Sequence, residues 1–379
     1  MSENTQENTP APDMSELRQE IDSIDSEMLR LLNQRVSVAG KIGQTKKSQG
    51  LPVFDPAREQ RLLKRLAEGC DDTFCTSHLK RIYTEIISAC RTVQDDVEIA
   101  YLGPEATFTH QAALTHFGGS GSYIAMQTIE DVFEAVARDK ADCGIVPVEN
   151  STQGTVAITL DCFREYNTGE KYYINGEIYL RISHQLIGQS KKKEDISQVV
   201  SHPQGLMQCR LWLQRHLPNI ECLAVSSTAA AAEMAKKDPT IAAIGGELLA
   251  TTYGLEIVAS DIQDHIENQT RFLILGKAPA EPSGHDKTSL WFAASHEPGS
   301  LFASLQCFAD AGVNLSRIES RPLVKRPWEY VFFIDLEGHC KDDHVAEAII
   351  NLRKKAASVH LLGSYPGMSA VSQQGLQNP

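Results

Sequence analysis

The 379-residue sequence carries nine cysteines, yet it has no Cys-x-x-Cys pair and no Cys/His ligand spacing. An odd, scattered set implies neither a zinc site nor a disulfide framework, and reduced thiols in a cytoplasm are the expectation. No run approaches the ~20 apolar residues of a membrane span. The first 13 residues, MSENTQENTPAPD, lack the apolar stretch of a secretory leader and read as a disordered acidic tail. A basic excess is missing too. The formal charge is −13, which argues against a nucleic-acid partner. There is no Gly-x-Ser-x-Gly elbow, no phosphate loop, no dinucleotide fingerprint and no internal repeat.

What is present begins with an imbalance. Residues 14–96 are neutral, with 13 basic and 13 acidic side chains, yet they hold 8 of the 18 arginines. An arginine-rich segment in an acidic chain predicts a local anion site. From Met14 to Lys47 there is no proline. Leu17, Ile21, Ile24, Met28, Leu31, Leu32, Ala39 and Ile42 recur at helical spacing behind Asp13 or Ser15 as a cap. Such a helix runs roughly 50 Å at ~1.5 Å per residue, more than one small domain covers, which predicts dimerisation. At ~100° per residue, Arg35 and Lys46 fall within about 20° of Leu17, in the middle of the apolar stripe, and Arg18 lies on its flank. Buried cations need partners. Either they snorkel or pair within the segment, or a ligand with carboxylates sits between them, and two on one face favour the ligand.

A second helix starts at Asp55-Pro56-Ala57-Arg58-Glu59, with Asp as cap and Pro in the first turn. A third runs from Thr76 to Val93 with Leu79, Ile82, Ile86, Ala89 and Val93 inward, and Cys90 and Gln94 are neighbours on its flank. As a set, Arg18, Arg35, Lys46, Asp55, Arg58, Glu59 and Gln94 resemble the all-helical chorismate mutase family, a domain-swapped dimer of three-helix chains. The resemblance implies that arginine forks clamp the two carboxylates of chorismate. Lys46 and Gln94 would donate to its ether oxygen, Glu59 would hold its hydroxyl, and Arg18 would reach into the partner's site. Cys90 stands where some relatives carry Ser, and only a lining role is expected of it. Gln94 donates without a proton of its own to lose, so mutase activity is expected to persist at neutral and mildly alkaline pH.

Residues 97–280 alternate strands and helices. Val97–Leu102 reads as a strand, Thr109–Phe117 and Ile129–Asp139 as helices, and Cys143–Val148 as a strand. Val199–Ser201, Gly205–His216, Ala224-Val225, Thr228–Lys237 and Ile241–Ile244 repeat the pattern, and Thr270–Leu275 looks like a strand returning to the first lobe. Two α/β lobes joined by crossovers place a ligand cleft between them, at strand carboxyl ends. Polar clusters fall at such ends, at Thr107–Thr109, Glu149–Ser151, Ser201–Gln204 and Asn268–Phe272. The strings Leu102–Phe108, Val146–Asn150, Ser201–Gln204, Ser227–Ala232 and Thr270-Arg271-Phe272 together resemble the prephenate dehydratase family. Glu105-Ala106 departs from the usual Glu-Gly or Lys-Gly, where a local turn change is expected. The resemblance implies that Thr270 donates to the departing ring hydroxyl. Glu149 belongs to the same signature, and Asn150, Ser201 and Gln208 would orient substrate. Arg271 would clamp a carboxylate or brace the cleft, and Phe272 would pack. Neither reaction calls for a metal or a cofactor.

Residues 285–365 follow a βαββαβ order: Ser289–Ala294, Gly299–Ala311, Leu315–Glu319, Tyr330–Leu336, Val345–Lys354 and Ser358–Gly363. With Pro298-Gly299-Ser300-Leu301, Asn314-Leu315 and Glu319-Ser320-Arg321-Pro322, they resemble the ACT domain. That implies an L-phenylalanine effector bound by Gly299, Leu301, Asn314, Leu315, Glu319, Ser320, Arg321 and Pro322 at a dimer interface.

The expectation is therefore a multidomain chain with a tail at 1–13 and an all-α mutase at 14–96. A two-lobed, periplasmic-binding-protein-like α/β dehydratase at 97–278, a ferredoxin-like α+β module at 285–365 and a second tail at 366–379 complete it. It would act on chorismate and prephenate as a homodimer through the mutase helices and ACT domains, with pairing of dimers into tetramers left open. A non-catalytic solute sensor and a dehydratase with a mutase domain used only for dimerisation are the alternatives.

Overall fold

The computed structural model describes residues 13–70, 76–165, 172–190, 192–322 and 330–367. The first expected tail, apart from Asp13, lies outside these residues, as does the second beyond Gly367. Pro366 belongs to the last strand, so the third module ends later than its sequence predicts.

The first segment is three helices: α1 (Met14–Gln49), α2 (Pro56–Glu68) and α3 (Thr76–Thr92). Asp13 caps α1 by accepting from the Ser15 N–H, and Gly50 ends it with φ +65°. Asp55 caps α2 by accepting from the Arg58 N–H, with Pro56 in the first turn. Gly43 lets α1 touch the chain just past α3, since a Cβ there would lie 2.6 Å from Gln94 Cα. Among the described residues, most of the apolar stripe of α1 has nothing to pack on: Leu17, Ile21, Ile24, Met28, Leu31 and Val38 are all exposed. The inward face expected of α3 needs correction. Leu79, Ile87, Ser88, Cys90 and Arg91 are buried, whereas Ile82, Ala89 and Val93 are exposed. The helix is gripped on two sides, by α1 and by the lobe that follows.

That lobe contains β1 (Glu98–Leu102), α4 (Phe108–Phe117), β2 (Ser122–Met126), α5 (Ile129–Ala137), β3 (Cys143–Asn150), β4 (Gly154–Thr155), α6 (Ala157–Glu165) and β5 (Tyr173–Arg181). The second lobe holds β6 (Gln185–Gly188), β7 (Gln198–Ser201), α7 (Pro203–Gln208), α8 (Arg210–His216), β8 (Glu221–Ala224), α9 (Thr228–Lys237), β9 (Ile241–Gly245), α10 (Glu247–Tyr253) and β10 (Glu256–Ala259). β11 (Gln269–Gly276) then returns to the first lobe, as its sequence predicts. The sheet orders are β2-β1-β3-β11-β5, with β4 on β3, and β10-β6-β9-β7-β8. The βαβ pairs are parallel, but β11 runs antiparallel to both β3 and β5, so the sheets are mixed. The helix expected over 205–216 is two pieces meeting at Cys209. The alanine string works by packing. Ser227 caps α9, and Ala229, Ala231, Ala232 and Ala235 bury against the second sheet, where larger side chains would hold the helix off.

The last module is β12 (Asp286–Ala293), α11 (Ser300–Asp310), β13 (Leu315–Pro322), β14 (Tyr330–Glu337), α12 (Asp343–Lys355) and β15 (Ser358–Pro366), in the sheet order β13-β14-β12-β15. Its helices cover one face around Phe292, Phe308, Ile334 and Leu352. The other face sends Trp291, Val331, Phe333 and Tyr365 into the core of the first lobe, beside Phe163 and Leu273. The cores of lobe and module are thus continuous.

Candidate functional site

Two sites take shape. In the helical segment, Arg35 Nη1 lies 2.7 Å from Cys90 Sγ and 3.4 Å from the Ile86 carbonyl. Gln94 Nε2 donates to the Cys90 carbonyl at 3.0 Å, while its Oε1 is buried without a partner among the described residues. Lys46 Nζ donates to the Val53 carbonyl at 2.8 Å. Burial lowers the Lys46 pKa against the pull of Asp55, and Arg58 and Glu59 act on it as well. Arg35, Lys46, Glu59, Cys90 and Gln94 therefore gather where α1, α2 and α3 meet. Asp55 is the cap of α2, and Arg58 is exposed one turn from it.

Arg18 does not join them. It sits 17 residues before Arg35 on one helix, roughly 25 Å away along the axis, and is exposed without an ion pair among the described residues.

Sequence reasoning missed Arg91. Its Nε donates to Glu59 Oε1 at 3.0 Å and its Nη2 to Oε2 at 3.4 Å, while Nη1 reaches the Phe117 carbonyl in the next lobe at 3.2 Å. Burial raises the Glu59 pKa and Arg91 opposes the rise. The one hint in the sequence was the arginine excess of this segment.

The second site begins on the paired strands β3 and β11, where Asn150 stands opposite Thr270. Asn150 Nδ2 donates to Thr270 Oγ1 at 2.9 Å and to Asn268 Oδ1 at 2.8 Å, with the Gln269 carbonyl at 3.2 Å. Asn150 Oδ1 in turn accepts from the Thr152 and Gln153 N–H groups at 3.0 and 3.1 Å and from the Thr152 hydroxyl at 2.6 Å, fixing the loop. The Thr270 hydroxyl is thus an acceptor to Asn150, and no acceptor takes its own proton among the described residues. From the second lobe, Gln204 Nε2 reaches Gln153 Oε1 at 2.5 Å.

Gln208 ends α7 with Oε1 2.7 Å from His184 Nε2, and its Nε2 is buried without a partner among the described residues. An amide oxygen only accepts, so His184 carries its proton on Nε2 and aims the Gln208 NH₂ outward from the pair. Burial lowers the His184 pKa and keeps the ring neutral. Phe108 packs edge-on against it at 5.2 Å across the lobes. His184 is a second residue the sequence reading missed.

Two sequence expectations, for Ser201 and Glu149, are corrected here, and the alternatives left open for Arg271 are narrowed to bracing. Ser201 is fully buried and donates to the Ile244 carbonyl at 2.8 Å, so it ties β7 to β9 rather than facing a ligand. Arg271 does not face Thr270's side of the sheet. Its Nε bonds Glu177 Oε2 at 2.9 Å, Nη1 bonds Asp335 Oδ2 at 2.5 Å, and Nη2 bonds the Tyr365 hydroxyl at 3.0 Å. With its three nitrogens engaged, it braces the sheet from behind instead of clamping a carboxylate. Glu149 shares that rear face and meets Arg317 Nε at 3.4 Å. Phe272 is fully buried and packs, as its sequence predicts.

In the last module, a pocket of ≈ 400 Å³ is lined by Ala294–Pro298, Ser300, Leu301, Tyr330 and Phe332. Gly299 lies within that run as the cap of α11, with φ +83°. Asn314 accepts from the Glu337 N–H through its carbonyl, and Leu315 packs at the module's core. Ser320 and Pro322 alternate outward on β13. Glu319 and Arg321 do not line the pocket. Glu319 accepts from the Thr155 hydroxyl at 2.9 Å, and Arg321 pairs with Asp161 at 2.6 Å.

Comparison with known proteins covers both sites. The family model for chorismate mutase type II matches residues 17–95, and that for prephenate dehydratase matches 99–280. A bifunctional chorismate mutase/prephenate dehydratase of Aquifex aeolicus is 44% identical over 93% of this chain and 98% of its own. One of Pseudomonas aeruginosa is 40% identical over 92% and 96%. The crystal structure of prephenate dehydratase in complex with L-Phe from Arthrobacter aurescens aligns with a TM-score of 0.65 at 37% identity, covering 72% of this chain and 90% of that one.

Proposed function

Because the chain belongs to the bifunctional chorismate mutase/prephenate dehydratase family, converting chorismate to prephenate and prephenate to phenylpyruvate, we propose how its residues divide that work. In the mutase, Arg35 and the partner's Arg18 clamp the carboxylates of chorismate. Lys46 and Gln94 donate to the ether oxygen as its bond breaks, and Glu59, oriented by Arg91, accepts from the ring hydroxyl. The unpartnered α1 stripe and the ~25 Å between Arg18 and Arg35 support a dimer in which each chain completes the other's site. Mixing Arg18→Ala with Lys46→Ala chains tests this. Each is inactive alone, and exchange of subunits restores a fraction of mutase activity. No restoration after exchange would refute the shared site.

In the dehydratase, prephenate loses CO₂ while its ring hydroxyl departs, and the new aromatic ring drives the step. The Thr270 hydroxyl carries the reading. Because Asn150 donates to it, its proton is free for the leaving oxygen, and Gln208 orients the substrate from the other lobe. Phenylpyruvate formation from supplied prephenate tests this, lost on Thr270→Val while mutase activity remains.

The C-terminal module is a ferredoxin-like ACT domain that takes L-phenylalanine in the pocket at Ala294–Leu301. For inhibition, phenylalanine binds the less active state more tightly. Calorimetric binding abolished by Leu301→Trp supports that pocket, and unchanged binding overturns it.

A further inference from the structure

The register of β3 and β11 places two pairs side by side. Asn150 faces Thr270, and one residue along, Glu149 faces Arg271. Alternation along a strand sends neighbouring side chains to opposite faces. The first pair carries the hydroxyl and its donor, and the second pair turns toward the C-terminal sheet. There, Asp335 on β14 takes Arg271 Nη1 at 2.5 Å, and Tyr365 on β15 takes Nη2 at 3.0 Å. Arg317 on β13 holds Glu149 at 3.4 Å and donates to Thr155 at 3.0 Å, the residue opposite Glu149 on β4. Glu319 accepts from that same Thr155 hydroxyl.

We propose that Asp335 and Arg317, both in the C-terminal module, are positioning residues for dehydration. They hold the Thr270–Asn150 pair in place by gripping the adjoining Arg271 and Glu149 from behind. The proposal rests on the reading of Thr270 as the donor.

Three observations carry it beyond ordinary domain packing. First, the β3–β11 ladder shifts register between Arg271 and Phe272. The bulge locally disrupts the pairing of β3 with β11 beside the reacting pair, so the β3 side leans on its flanking contacts, while β5 keeps a regular register with β11 through Leu180 and Thr270. Second, Arg271 and Asp335 are both buried, and Asp335's second oxygen accepts from Ser289 at 2.5 Å. Ser289 also bonds the Tyr365 hydroxyl at 2.7 Å. The grip is a closed set of bonds between a lobe strand and three strands of the module. Third, only one residue of strand, about 3.3 Å, separates the gripped pair from the reacting pair. A misplacement of about 1 Å at a reacting group costs on the order of 10²-fold in rate. A ligand that moves β13 or β14 therefore acts on Thr270 through one peptide unit.

The test uses the full chain, whose mutase reaction reports folding in the same tube. Asp335→Asn keeps the shape and the Ser289 bond but removes the charge facing Arg271. Arg317→Gln removes the grip on Glu149 at a half-exposed contact. Both are expected to lower the dehydratase kcat, by at least about 10-fold and about 3-fold respectively, with KM within about 2-fold and the mutase rate unchanged. Asp335→Glu, which restores the charge, recovers part of the loss. Wild-type kcat in both Asp335→Asn and Arg317→Gln overturns the proposal. Where Asp335→Asn abolishes both reactions, Arg317→Gln decides alone. Thr270→Val, measured alongside, separates the two ideas. If it is inactive while both module variants are normal, the coupling is wrong. If it is active, the donor reading is wrong.

Discussion

Thr270→Val removes one hydroxyl and little else. Valine keeps the branched shape and the strand preference. Asn150 Nδ2 loses one of three acceptors and keeps Asn268 Oδ1 at 2.8 Å and the Gln269 carbonyl at 3.2 Å. No buried donor is orphaned, so the cost in stability is about 1 kcal/mol, that of one ordinary hydrogen bond. The kinetic cost is larger, because the hydroxyl serves the charge that builds on the leaving oxygen. Loss of one preorganised donor lowers kcat by about 10²–10³, or about 2.7–4 kcal/mol of barrier. The assay is phenylpyruvate formation from saturating prephenate, beside mutase turnover and a urea midpoint for each variant. Thr270→Ser, which keeps the donor, is expected within about 10-fold of wild type. A Thr270→Val enzyme with more than a tenth of the wild-type kcat, or one whose mutase falls equally, would refute the reasoning.

Other consequences are open to measurement. Arg91→Met strands the Glu59 carboxylate without its partner, and a urea melt should show a loss of about 3–5 kcal/mol with a reduced mutase kcat. Gln94 needs no proton to donate, so the mutase rate should hold from neutral pH upward until Lys46, its pKa lowered by burial, begins to deprotonate. Gln94→Glu should confine activity to acid, and a flat profile in that variant would count against Gln94's role. His116, its Nε2 buried and unpartnered among the described residues, is pushed down to about 3 by burial and by Arg91 and Lys80. The folded state keeps it neutral while the unfolded chain binds a proton below about pH 6.5. Its contribution is therefore whole above pH 6.5 and drains as the pH falls toward 3, by about 2 kcal/mol at pH 5. Denaturant midpoints at pH 7 and pH 5 should show that slope, and it should flatten in His116→Phe. His184→Leu frees the Gln208 amide to rotate, and a raised KM for prephenate with unchanged mutase kinetics should follow.

Much of this was legible in the residues because it depends on local rules. Asp55-Pro56 starts a helix wherever it occurs before an apolar stripe, and Ser227 caps the alanine helix for the same reason. The apolar run of Thr270–Leu275 reads as a buried strand returning to the first lobe, and β11 is that strand. What stayed hidden depends on distant partners. β5 reads poorly as a strand because Gly176 and Glu177 interrupt its apolar run. Both have tertiary causes: Ile274 packs against Gly176, where a Cβ would lie 3.0 Å away, and Glu177 neutralises Arg271 and Lys287. The face of α3 was misread because a wheel assumes one core, and this helix serves two. The directions of Arg271, Glu319 and Arg321 follow from strand alternation only once the neighbouring sheet is known. A signature string gives the residue types and leaves open which face each one takes.

The most direct test of the whole account is a time course on the purified chain given chorismate, following chorismate, prephenate and phenylpyruvate with and without phenylalanine. The account predicts that chorismate is consumed, prephenate passes through as an intermediate, and phenylpyruvate appears at a rate that phenylalanine lowers. Prephenate accumulating without phenylpyruvate, or chorismate left unconsumed, would contradict it.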